Sequence, residues 1–153
     1  MHMDLRARVI EVLESSHLMS LATQDKGGLW VADVIFIYDD NLSLYWMSDP
    51  DCRHSQAILK KDGVAGSITT SNKSKEPNLG IQFEGKAEKI EGARYDLVLK
   101  HFSKRGHPIP PEDKDVLQGD SWYVLKPAKI RLIDEENFGY DTQEVLLKDT
   151  KAD

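Results

Sequence analysis

Cysteine occurs once, at Cys52. One thiol cannot close an internal disulfide, and it cannot assemble a cysteine-based zinc site by itself. Cationic excess is missing too. The net charge is -6, whereas a protein that grips duplex nucleic acid through its phosphates normally carries the opposite sign. No nucleic-acid partner is expected. No apolar run approaches the roughly 20 residues that a membrane helix requires, and the longest, Val31 to Tyr38, is broken by Asp33. The opening Met1-His2-Met3-Asp4 lacks the basic-then-apolar order of a signal peptide. The expectation is a cytoplasmic protein with no membrane partner. There is also no GxGxxG, Walker loop, GxSxG or His-x-x-x-His spacing, so no metal site is expected.

What remains reads as a folded globule. Of 153 residues, 40% are apolar and 30% charged, enough for one domain with a real core and too few for two. The domain is read as 1–153, with a disordered charged tail from about 148. Leu5, Val9, Val12, Leu13 and Ser16 recur at helical spacing over Asp4 to Ser16. The period then changes to that of strands: His17 to Thr23, Leu29 to Tyr38, Leu42 to Ser48, Val64 to Thr70, Leu79 to Ile90 and Ser121 to Ile133. Asp25-Lys26-Gly27-Gly28 supplies a hairpin turn. Gly80, Gly85 and Pro127 mark bulges or close approaches. Asp49 and Pro50 suit the N-cap and first position of a helix running to about Lys61. A third helix spans Ala93 to Lys104, stopped by Gly106. The fold class is mainly β (α+β): a six-stranded antiparallel Greek-key barrel with flanking helices. The Leu29–Tyr38 strand is apolar on both faces, so one face needs a cover outside the barrel core, most simply a second subunit.

Three places hold candidate chemistry. At Met47-Ser48-Asp49-Pro50-Asp51-Cys52-Arg53-His54-Ser55 a strand end feeds a helix start. Free amides, a cation and a hydroxyl there favour a phosphate; the alternative is that Arg53 and His54 merely neutralise Asp49 and Asp51. Asp33 sits alone in an apolar strand, where a buried carboxylate is costly. It marks a ligand contact, a cross-subunit salt bridge or an exposed strand end. Gln82, opposite in direction to Ile81 and Phe83, either meets the polar edge of a flat heterocycle or faces water. No residue stands out as a dedicated acid or base, so the catalytic group is unknown.

The order of these pieces resembles the pyridoxamine 5′-phosphate oxidase-like FMN-binding split β-barrels. The matching segments are His17 to Thr23, Gly27-Gly28, Trp30 to Tyr38, Asp39-Asp40-Asn41 before Leu42 to Tyr45, Arg53-His54-Ser55, Val64 to Ile68, Gly80 to Ala87 and Trp122 to Leu132. They span nearly the whole chain and look closest to an uncharacterised bacterial branch. The resemblance implies a homodimer with two flavins between the subunits and an FMN-dependent oxidoreductase acting on a small substrate, with a donor such as NAD(P)H. Ala32, Asp33, Val34 and Ile35 match a strand that runs along the flavin. Met47 and Ser48 match residues flanking its phosphate and ribityl chain, Arg53, His54 and Ser55 the phosphate grip, and Gln82 a glutamine near the ring. The second member of the grip is His54 where lysine is usual, and Ala32 replaces an arginine of the oxidases. The arginine–histidine pair that holds pyridoxal phosphate is not recognisable after Trp122, so vitamin B6 oxidation is not expected. The rival readings on this fold are a deazaflavin or haem in place of FMN, a carrier without turnover, and a dimer with no ligand.

Overall fold

A computed structural model describes residues 4–147; the tail read as disordered from about 148 lies outside the described residues. The chain runs α1 (Leu5–Ser15), β1 (Leu18–Asp25), β2 (Gly28–Ile35), β3 (Ile37–Tyr38), β4 (Leu44–Ser48), α2 (Arg53–Lys60), β5 (Gly63–Thr69), β6 (Leu79–Ile90), α3 (Tyr95–Lys104), β7 (Ser121–Asp134), α4 (Glu135–Phe138) and β8 (Gln143–Val145). Every strand pairs antiparallel, in the order β2-β1-β5-β6-β7-β4-β3, with β8 added beside the second half of β7.

Eight described strands replace the six expected, because one long strand divides and β8 is new. The division falls at Phe36, whose amide donates back to the His17 carbonyl (3.2 Å). Beyond it, Ile37 and Tyr38 pair with β4 instead of β1. The two ends of the sheet path, β2 and β3, are therefore consecutive in sequence. The curled sheet is joined by the chain itself rather than by a ladder, which is what splits the barrel.

The stripe on α1 behaves as its spacing demands: Val9, Val12 and Leu13 are buried, and Asp4 caps the helix by accepting from the Ala7 amide. They join Met19, Leu21, Phe36, Trp46, Tyr123 and Leu125 in the main core. A smaller core of Ile37, Leu97, Val98 and Trp122 lies under α3. Arg8 fastens α1 to the end of β7 through the buried Asp134 (2.8 Å). Burial opposes ionisation of Asp134, but the hydrogen bonds from Arg8 and Asn137 outweigh it and hold the carboxyl below its ordinary range.

One expected helix start is corrected. Asp49 does not cap α2. Its carboxylate accepts from the Asp51 amide (2.9 Å) and its carbonyl from Cys52 (3.2 Å), closing a turn. Proline suits the second position of such a turn as well as it suits a first helical residue. The helix starts at Arg53, with Cys52 at the N-cap position.

Gly85 and Pro127 meet as a bulge, where the β6–β7 register shifts. A Cβ on Gly85 would lie 2.2 Å from the Lys126 carbonyl oxygen, and backbone cannot swing aside as a side chain can. Gly85→Ala should cost about 1–3 kcal/mol, read as a lower urea midpoint. An unchanged midpoint would show that the bulge is soft.

Candidate functional site

The first cluster sits where β4 ends and α2 begins. The Ser48 hydroxyl lies 2.9 Å from His54 Nε2. Cys52 Sγ lies 3.4 Å from the same nitrogen and 3.2 Å from Ser55 Oγ. Ser55 is fully buried and Ser48 nearly so. Burial pushes the His54 imidazole below its usual range, so near neutral pH it is a hydrogen-bonding group, not a second cation.

Arg53 is the fixed charge here. Its Nε and Nη2 donate to the two carboxylate oxygens of Asp25 at 2.9 and 3.1 Å, and its guanidinium stacks over the Trp30 ring at 4.5 Å. The Arg53 hydrogen bond lowers the Asp25 pKa, and the same bond raises that of Arg53. A link across 28 residues thus ties the β1–β2 turn to the start of α2. Gly27 leaves room for it, since a Cβ there would come within 3.1 Å of Arg53 Nη2.

The second cluster lies on the outer face of the sheet. Register sets Asp33, Ser20, Ser67, Gln82 and Arg131 side by side across β2, β1, β5, β6 and β7. Three strand spacings, about 14 Å, separate Asp33 from Gln82. Ser20 donates to Asp33 at 2.7 Å, so the lone carboxylate is an exposed, partnered group. The neighbouring row is Val31, Ala22, Ala65 and Glu84. Leu29, Val31 and Leu18 are 82%, 60% and 44% exposed. Ala22 and Ala65 beside exposed Leu29 and Val31 make a short apolar floor that ends at Glu84; the polar row borders it, and Leu18 lies beyond that row.

The sequence-predicted residues therefore divide. Ser48, His54 and Ser55 come together, and Arg53 sits beside them but is turned to Asp25. Asp33 and Gln82 share the outer row. Along β2, Asp33 and Ile35 face outward, while Ala32 and the buried Val34 face the barrel interior. Met47 faces away from Ser48 into the core beneath α3. Sequence reasoning missed Asp25 and Trp30 as partners of Arg53. It also missed Ser20, although its two-residue spacing from Ala22 and Leu18 already placed it on the outer face. Among the described residues no helix is long and apolar enough to cross a membrane.

No protein-family profile matches the chain. It is 29% identical over 94 residues to the UPF0306 protein YhbP of Escherichia fergusonii; the match spans 61% of this chain and 64% of that relative, just under two thirds of its length. Two solved structures share the architecture. One is HutZ, the heme storage protein from Vibrio cholerae, with a TM-score of 0.67 at 16% identity, covering 84% of this chain and 94% of the other. The second is a candidate pyridoxamine 5′-phosphate oxidase from Listeria innocua, with a TM-score of 0.66 at 17% identity, covering 84% and 98%. At these identities the likeness is one of fold.

Proposed function

We propose that this chain, a split β-barrel of the pyridoxamine 5′-phosphate oxidase-like kind, binds FMN between two copies of itself and works as a flavin-dependent oxidoreductase on a small substrate. The observation that carries the reading is the outer sheet face. Leu29 and Val31 stand exposed beside Ala22 and Ala65, a floor on which a planar ring can lie. Asp33, Ser20, Ser67 and Gln82 supply donors and acceptors along one border. Exposed apolar surface of this kind is where a second subunit or a ligand is expected.

Arg53, Ser48 and His54 have the chemistry that holds a phosphate. Arg53 supplies a permanent positive charge, and Asp25 uses two of its five N–H donors. Ser48 and His54 add neutral hydrogen-bonding atoms, so the phosphate grip rests on one cation where a pair is usual. Bound FMN would carry hydride or electrons through its N5. The protein's part is to hold the ring flat, border it with Gln82 and Asp33, and exclude water by closing two copies over it. NADPH or NADH is the expected electron donor.

The test is to purify the chain, release whatever accompanies it and identify it by mass spectrometry. FMN at about one per subunit, bleached by NADPH without air, supports the reading. A haem spectrum would move the protein to the carrier reading, in line with HutZ, a heme storage protein. A colourless protein that takes up no added FMN would remove the flavin.

A further inference from the structure

Beside the Arg53 grip, a cleft of about 590 Å³ lies between the β1–β2 turn and the flank of α2. Asp25, Lys26 and Gly27 form one wall; Arg53, Gln56, Ala57, Lys60 and Lys61 form the other. Arg53, Gln56, Ala57 and Lys60 fall at the three- and four-residue spacings that share one helix face. Four cations thus face one carboxylate, in a chain whose net charge is -6.

The single carboxylate is already engaged by Arg53. Lys26, Lys60 and Lys61 make no salt bridge among the described residues. Lys60 complements the C-terminal end of α2, but Lys26 comes from a different segment and points to the same recess. Arg53 is held in place by Asp25 and by the Trp30 ring, so its remaining donors are oriented before any ligand arrives. The volume suits a nucleotide-sized guest. Four cations against one carboxylate that is already engaged leave more positive charge than a single phosphate would balance, so a ligand with more than one anionic centre suits the cleft.

We infer that this cleft is a docking site for a diphosphate group, the anionic part of a nucleotide. The choice of nucleotide rests on the flavoprotein reading, since a nicotinamide donor brings its diphosphate to the protein.

The experiment titrates the full chain with inorganic pyrophosphate, ADP and NADPH, taking inorganic phosphate as the reference, by calorimetry. Pyrophosphate should bind at least about tenfold more tightly than phosphate, and Lys60→Glu with Lys61→Glu should weaken it about 10- to 100-fold. Lys26→Glu on the opposite wall should weaken it as well, and flavin content should stay at the wild-type level in all three variants. ADP displaced by NADPH marks the donor as the source of the diphosphate. ADP that binds while NADPH does not marks a separate nucleotide, and both results support the site. No saturable pyrophosphate binding, or binding that survives the lysine replacements, overturns it. Loss of flavin together with pyrophosphate binding also overturns it, because the cleft would then be part of the flavin's own phosphate site.

Discussion

If two copies close over FMN as proposed, Val31→Glu should turn the dimer into a monomer that loses its flavin on purification. Val31 is 60% exposed in the protomer and sits in the apolar row with Ala22 and Ala65. If a second copy covers that row, two-fold symmetry brings the row of one copy close to the same row of the other. The substitution then introduces two carboxylates into a dry seam, where like charges cost several kcal/mol. A loss of about 4 kcal/mol raises the dimer dissociation constant about a thousandfold. The fold itself should hardly notice, because an outward position away from special features changes stability by about 0.5 kcal/mol or less. Light scattering gives the mass, the visible spectrum gives the flavin and circular dichroism gives the fold. Val31→Ala serves as the mild control. A Glu variant that keeps both its dimer and its colour would mean that the aliphatic floor is not the seam.

The second large effect is on stability against pH. His101, on the buried face of α3, is 5% exposed. Its ring packs edge-on against Phe102 and Trp122 at 5.3 and 6.1 Å, and its Nδ1 is buried with no hydrogen-bond partner among the described residues. Burial pushes its pKa down to about 4, and the charges of Arg105, His107 and Lys104 push the same way. The folded form thus keeps it neutral, while the unfolded chain protonates it near the ordinary 6.5. Its contribution is complete above pH 6.5 and is lost as the pH falls towards 4. At about pH 4.5 the expected loss is about 2–3 kcal/mol relative to pH 7. The depressed carboxylates Asp25, Asp96 and Asp134 release their stability below the ordinary carboxylate value of 3.8, so they leave this window largely to histidine. His54, also depressed, contributes in the same direction. His101→Leu should therefore flatten most of the slope between pH 6.5 and 4.5 in urea titrations. An unchanged slope would assign the acid sensitivity elsewhere.

Local pattern carried much of the architecture. Helical spacing marked α1 correctly, the hairpin turn at Lys26-Gly27 lies where the glycines required it, and Gly85 and Pro127 face each other across the bulge. The errors arise where two local solutions are equally good. Pro50 fits a turn or a helix start, and the turn won because Asp49 could close it through both its carbonyl and its side chain. Phe36 breaks a strand that is apolar on either side of it, because pairing beyond it goes to β4, a choice that no short window contains. The site divides the same way. Ser48, Cys52, His54 and Ser55 lie within eight positions of one another, and their clustering was legible. The partnership of Arg53 with Asp25 spans 28 residues and depends on how α2 lies against the hairpin, so sequence could offer Arg53 as a phosphate ligand without showing that an acid already holds it.

The sheet path ends at β2, which has a ladder partner on one side only among the described strands. The least water-loving outward side chains, Leu29 and Val31, lie on this same terminal strand. A bare strand margin with greasy residues invites pairing with any neighbouring chain. Protein stripped of its ligand and concentrated should therefore precipitate sooner than the loaded form, and refolding yield should fall as chain concentration rises.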